Sequence, residues 1–330
     1  MIPGNILLIR PDRLGDLILS LPVARALKNE FPETRVTYLA APYPAAIAGM
    51  VDYVDGWIID GRPGVTPLPL RELSVAIKNG NYDCLIELKP SWRTAGAGFM
   101  AKIPIRIGTS RRIYSFYYNT RVKLHRKASG KHQTDLDLAM LKPLSINASN
   151  VLPTLSLKKD SAKTAGDLVG EKIDKYIVIH PGSGGSAPNW PESNYRELSK
   201  KILTMTGFGV VITGNESIRP FDDCLNLLGM TDLLGLAGVI SGAALFISGS
   251  TGPLHLADAL DRRCVSFFVD RADIGPQRWG PRRNLHNVLI PPGERCRCTN
   301  LSRCRCLERI SPDTAFDKVA SVLEIRADGK

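Results

Sequence analysis

Short apolar runs alternate with amphipathic stretches along most of this chain. Residues 5–9 (NILLI) form a run of the kind expected for a strand buried on both faces of a parallel sheet. A loop over 10–14 follows. Leu14, Leu17, Ile18, Leu21 and Leu27 then recur at helical spacing and predict an amphipathic helix over 15–29. Pro22 inside it predicts a kink, or a short first turn followed by the main helix. Further strands are expected at 35–40 (RVTYLA), 56–60 (GWIID), 82–87 (YDCLIE) and 103–108 (IPIRIG), with a helix near Pro42 and Pro44 and others over 70–79, 92–101 and 134–141. Strands and helices in strict alternation with short loops predict a doubly wound α/β sheet. After the polar stretch 158–174 the pattern starts again. Strands are expected at 176–180, 209–213, 245–248 and 264–268, with helices over 193–205, after Glu216, over 233–243 and over 254–260. The expected organisation is two α/β domains, 1–157 and 158–330.

Length agrees, since 330 residues at roughly 150 per domain make two. With 44% hydrophobic and 23% charged residues, the chain has the make-up of an ordinary globular protein. The early apolar run over 6–9 stops at Arg10 and Asp12, short of a signal-peptide core. The apolar stretch 236–248 is broken by glycine and serine and is too short to span a bilayer. A cytoplasmic protein is therefore expected. A formal charge of +11 points to anionic partners such as nucleotide phosphates or an acidic membrane surface. The basic residues cluster around Arg106, Arg111, Arg112, Arg121 and Lys123, and again from Arg262 to Arg309. Tyr114, Phe116, Tyr117 and Tyr118 interleave the first cluster, but no nucleic-acid-binding module surrounds them, so nucleic acid is not expected as a partner.

Candidate chemistry concentrates at the ends of strands. The segment 176–192 (YIVIHPGSGGSAPNWPE) runs from a buried strand through Gly182, Gly184 and Gly185 toward a helix. Exposed backbone N–H groups and a helix N-terminus together hold phosphate, although the same pattern also serves as a plain tight turn. Ser183, Gly184, Ser186 and Asn189 are the candidate ligand-binding residues here. A second loop, 248–253 (SGSTGP), has amides at Thr251 and Gly252 and hydroxyls at Ser250 and Thr251, with His255 just inside the next helix. Glu216, beyond the strand at 209–213, is placed to accept from ribose hydroxyls or an amine. Asp16 falls in the first turn of the first helix, at the carboxyl end of a strand, where open α/β sheets place ligands. Asp135 and Asp137 have Asp-x-Asp spacing but read as a solvated helix face rather than a metal site. Cys296, Cys298, Cys304 and Cys306 form C-x-C…C-x-C, open to a structural zinc or iron site or to a reduced or redox-variable surface loop; structural zinc sites usually space their cysteines wider.

Three of these segments carry a resemblance. RPDRLGDLILSLPVARAL near the start, HPGSGGSAPNWPE with Tyr195-Arg196-Glu197-Leu198 behind it, and SGSTGPLHLADAL resemble the signatures of glycosyltransferase family 9, the lipopolysaccharide heptosyltransferase family, in that family's order. With IPIRIG and KHQTDLDLAMLKPL between them, the likeness covers nearly the whole chain. The resemblance implies an α/β fold of GT-B type, two Rossmann-like doubly wound domains facing a central cleft, with acceptor in the first and nucleotide sugar in the second. It also implies that the last helix packs back on the first domain. The implied reaction is inverting and metal-independent and needs no cofactor. A heptose or related sugar passes from a nucleotide diphosphate, ADP-heptose first among them, to a lipopolysaccharide-core or other anionic glycolipid acceptor, with peripheral contact at the cytoplasmic face of the inner membrane. Asp16 matches the family's general base. Where family members often carry Lys or Arg two residues before the Trp, this chain has Pro188, and where they typically carry Asp in the second loop it has Ser250. Arg10, Arg13, Arg111 and Arg112 are the candidate cations for phosphate or acceptor. A GT-B epimerase or hydrolase, and a non-catalytic nucleotide- or polyanion-binding protein, are the alternative readings.

Overall fold

A computed structural model describes residues 3–125, 129–158, 168–170, 173–185 and 187–325. The chain forms two compact units, Met1–Thr154 and Leu155–Lys330. Each is built on one six-stranded parallel sheet.

In the first unit the elements are β1 (Asn5–Arg10), α1 (Leu14–Glu30), β2 (Arg35–Ala40), α2 (Pro42–Ala45), β3 (Gly56–Ile59), α3 (Leu70–Lys78), β4 (Cys84–Glu87), α4 (Trp92–Met100), β5 (Ile105–Thr109), β6 (Thr120–Val122) and α5 (Gln133–Leu138). The sheet order is β3-β2-β1-β4-β5-β6. β1 is the central strand, with Ile6, Leu7, Leu8 and Ile9 wholly buried, as an apolar run covered on both faces must be. α1 runs as one helix through Pro22 rather than dividing there.

The second unit contains β7 (Tyr176–His180), α6 (Glu192–Met205), β8 (Gly209–Gly214), β9 (Leu225–Leu228), α7 (Leu233–Gly242), β10 (Leu245–Gly249), α8 (Gly252–Ala259), β11 (Cys264–Phe267), α9 (Pro276–Trp279), β12 (Val288–Leu289) and α10 (Pro312–Leu323). Its order is β12-β11-β10-β7-β8-β9. Both sheets thus place the first strand of the unit beside the fourth, with the strands between laid out on one side and the last two on the other. That reversal is the topological switch point, where loops at the carboxyl ends part and leave room for a ligand.

Three strands, β6, β9 and β12, were not expected from the pattern, and the helix expected after Glu216 is a turn leading to β9. The last helix, α10, packs on α6 in its own unit, where Ala315 and Val319 join the core of Ile177, Leu198 and Phe267, and Lys201 pairs with Asp313 at 2.7 Å. Among the described residues, no helix is long and apolar enough to cross a membrane.

Candidate functional site

In the first unit the chemistry gathers at the switch point between β1 and β4. Arg10 closes β1 and is only 1% exposed, so its charge must be met by protein groups. Its guanidinium donates to the Leu88 carbonyl at 3.0 Å and pairs with Asp16 at 2.6 Å, Asp12 at 2.9 Å and Asp137 at 3.3 Å. Burial opposes the charge on Arg10, but Asp137, Asp12 and Asp16 together more than offset it and hold its pKa above the ordinary value. Burial pushes the Asp12 carboxyl up, against the pull of Arg10. Gln133 donates to Asp137 at 2.9 Å, and Lys89 reaches Asp12 at 3.4 Å. Three carboxylates against one guanidinium and one ammonium leave the cluster net negative. Asp16 keeps partial exposure in the first turn of α1, with one carboxylate oxygen held by Arg10.

Two expectations change here. Asp137 is fully buried on Arg10 rather than lying on a solvated helix face. Arg10 is not presented to a phosphate; it positions carboxylates. Arg13 is the exposed residue just before α1. Arg111 and Arg112 are exposed just beyond β5, along the same carboxyl edge of the sheet. Arg111 contacts the His125 ring at 2.9 Å. Ile113 is 95% exposed and Phe116 63% exposed on the 3-10 turn that follows, Ile113–Tyr117.

In the second unit β7 and β10 are hydrogen-bonded neighbours, with His180 opposite Ser248. The two loops singled out in the sequence therefore leave the sheet side by side. Gly182, Gly184 and Gly185 have φ of +89°, +55° and +76°, the left-handed region that glycine enters without strain. A Cβ on Gly184 or Gly185 would meet nothing within 4 Å, so the requirement there is one of backbone conformation rather than space. Ser183 closes this loop on itself by donating to the Ala187 carbonyl at 2.7 Å. The loop is anchored by Trp190, which stacks on Phe267 at 4.2 Å and donates from Nε1 to the Ile310 carbonyl at 2.9 Å. Asn189 is exposed and Pro188 buried beside it; Ser186 lies outside the described residues.

The N-termini of the helices that follow the two loops differ in charge. Glu192 already occupies the first turn of α6 and pairs with Arg196 at 2.6 Å, so that N-terminus is met by protein charge. The N-terminus of α8, beyond β10, carries no acid in its first turn. Thr251 caps it, its hydroxyl accepting from the Leu254 amide at 3.2 Å with Ser248 Oγ 3.4 Å away. The Thr251 oxygen is thus occupied as a cap, while its hydroxyl hydrogen is still available to donate; the Gly252 amide lies at the first helical position. Ser250 is half-buried in the same loop, and His255 is buried one turn into α8. Glu216 is exposed on the turn after β8.

Several contributors had no local signature. Asp12 pairs with Arg10, Lys89 with Asp12 and Gln133 with Asp137, and the clue to this cluster was a lone arginine ending a buried strand. His180, at the end of β7, contacts the Thr213 hydroxyl at 3.0 Å. Burial lowers its pKa to about 4, so its ring is neutral at pH 7.

The model of glycosyltransferase family 9 (heptosyltransferase) matches residues 70–305. A putative glycosyltransferase of Haemophilus influenzae is 27% identical over 96% of this chain and 96% of its own length. Lipooligosaccharide heptosyltransferase 2 of the same organism is 25% identical over 80% of this chain and 83% of its own. Among solved structures, the ADP-heptose LPS heptosyltransferase II of E. coli superposes with a TM-score of 0.79 at 21% identity, covering 97% of this chain and 98% of that one. The family match spans most of the chain and both sheets have the expected topology, so the chain belongs to glycosyltransferase family 9, the heptosyltransferase family, and is a glycosyltransferase with the two-domain GT-B fold.

Proposed function

We propose that this enzyme transfers a heptose from ADP-heptose to a lipopolysaccharide-core or closely related glycolipid acceptor, with inversion and without a catalytic metal or cofactor. The observation that carries the reading is the pair of loops at 181–191 and 250–252, side by side on neighbouring strands, with the N-terminus of α8 behind the second. That arrangement suits a pyrophosphate: amides and a helix dipole meet the charge that develops as the diphosphate leaves. The heptosyltransferases among its relatives support the sugar and the acceptor class.

In this reading the second unit holds the nucleotide sugar and the first the acceptor. The acceptor oxygen attacks the anomeric carbon, its proton passes to Asp16, and the bond to the nucleoside diphosphate breaks in the same displacement. Arg10 keeps Asp16 in one orientation at 2.6 Å. Glu216 and Asn189 are the polar groups proposed for the nucleoside and sugar hydroxyls, with Ser183, Gly184, Ser186, Ser250, Thr251, Gly252 and His255 forming the phosphate side. Arg13, Arg111 and Arg112 are proposed to receive an anionic acceptor at the cytoplasmic face of the inner membrane. Exposed Ile113 and Phe116 beside them support contact with lipid.

The test is Asp16→Asn, assayed with ADP-heptose in the presence and absence of acceptor. Transfer should fall by about 10²-fold or more, the usual contribution of a positioned base, while calorimetric affinity for ADP is unchanged. Near-full transfer by the variant would remove Asp16 from the role, and sugar turnover without acceptor would make the enzyme a hydrolase or epimerase.

A further inference from the structure

The segment 290–311 contains only two short 3-10 turns, Leu301–Arg303 and Cys306–Arg309. A connection of this length without ladders of its own needs something else to hold it. Four of its side chains converge: the sulfurs of Cys296, Cys298, Cys304 and Cys306 all lie within 4.8 Å of one another. The Cys296–Cys304 pair is 3.6 Å apart and the Cys298–Cys306 pair 3.8 Å. A disulfide needs about 2.05 Å. A tetrahedron with metal–sulfur bonds of about 2.3 Å has edges of about 3.8 Å. The observed pairs match the tetrahedron.

Each Cys-x-Cys gives one inner and one outer sulfur: Cys296 and Cys304 are buried, Cys298 and Cys306 half-buried. Packing accounts for the inner pair, since free cysteine behaves as a small hydrophobe. It does not account for two partly exposed thiols brought onto the same point, because S–H groups are weak donors with little to offer one another. Charge fits as well. Four thiols that bind a divalent ion release their protons to solvent, leaving a centre of net −2. Arg271 donates to the Cys298 carbonyl, Arg309 to the Cys306 carbonyl at 3.3 Å, and Arg297, Arg303 and Arg305 are interleaved with the cysteines.

We propose that Cys296, Cys298, Cys304 and Cys306 form a structural tetrathiolate site for one divalent metal ion, zinc or ferrous iron, which fixes the loops around the nucleotide site. The site touches no substrate. It acts through two connections. Cys296 and Cys304 share a core with Trp190, Leu307 and Ile310, and the Ile310 carbonyl holds Trp190 beneath the glycine loop. The Cys296 amide donates to the Asp270 carbonyl at 3.0 Å, in the loop that follows β11, next to β10.

The test is metal analysis of the full chain purified without chelator or metal-affinity resin, together with thiol titration. About one zinc or iron per chain is expected. Visible thiolate-to-iron absorption after mild oxidation marks iron, and its absence with a full equivalent of metal marks zinc. In the native protein the four cluster thiols should react only after a chelator is added. Metal content should fall at least tenfold in both Cys298→Ser and Cys306→Ser and be retained in Cys224→Ser, which lies outside the cluster. Less than a tenth of an equivalent of metal in the wild type, four thiols that titrate equally with and without chelator, or a mass showing two disulfides would each overturn the proposal. The wild-type measurements decide it even where a cysteine variant fails to fold.

Discussion

Arg10 ends a strand of leucines and isoleucines, yet its guanidinium meets three carboxylates where water hardly reaches. Burying such a network gains little stability over an apolar packing. Its effect is on geometry, because Asp16 is held at a fixed distance from a charge that cannot leave. Glu87, at the end of β4, shows the opposite treatment. It is wholly buried, and burial pushes its pKa up to about 8 from an ordinary 4.5, opposed by a hydrogen bond from the Thr94 hydroxyl. The folded state therefore keeps a proton that the unfolded chain loses. The stability tied to that proton is fully present below about pH 4.5 and is lost as pH rises through 8, at about 1.4 kcal/mol per unit. Glu87→Gln removes the titration and keeps the shape. In urea unfolding it should resemble the wild type near pH 5 and exceed it at pH 9; the same difference at both values would mean that Glu87 is ionised in the folded protein.

The turn Ile113–Tyr117 exposes two large apolar side chains, Ile113 and Phe116. In a 3-10 turn, side chains three apart lie on one face, so Ile113 and Phe116 project together beside Arg111 and Arg112. Ile113→Asp with Phe116→Asp should weaken sedimentation with anionic lipid vesicles without changing affinity for ADP, and unaltered vesicle binding would remove this turn from membrane contact. How readable each element was follows from how local its causes are. β1, β2 and β7 are continuous apolar runs and were visible as strands. β9 was not, because Leu225–Leu228 is short and held from outside: Asn226 accepts from the Phe221 amide at 2.7 Å and donates to the Phe221 and Cys224 carbonyls. The helix expected after Glu216 fails for a local reason: Asn215 accepts from the Ser217 amide at 3.2 Å and its hydroxyl at 2.6 Å, making a turn that Pro220 then keeps from winding on. The glycine loop was legible because left-handed φ values demand glycine. The burial of Asp137 was not, since its partner Arg10 is 127 residues away in the chain.

The two units repeat one strand order, and each fills its own core. Nucleotide should accordingly act on one of them. Hydrogen exchange with ADP at a hundred times its dissociation constant should slow around 181–191 and 248–256, with stabilisation of about 2.7 kcal/mol in that unit, and leave β1 and β4 unchanged. Protection appearing at β1 instead would place the nucleotide in the first unit.

Trp190 and the carbonyl that holds it are 120 residues apart. During synthesis the glycine loop emerges long before its anchor, and parallel sheets of this kind close late in any case. A chain cut between Asp270 and Ile310 would carry every residue of both phosphate loops and the Phe267 ring on which Trp190 stacks, yet would lack the carbonyl that accepts from Trp190. The anchor of the first loop thus rests on sequence that follows both loops, and order in 181–191 depends on a residue far downstream of it.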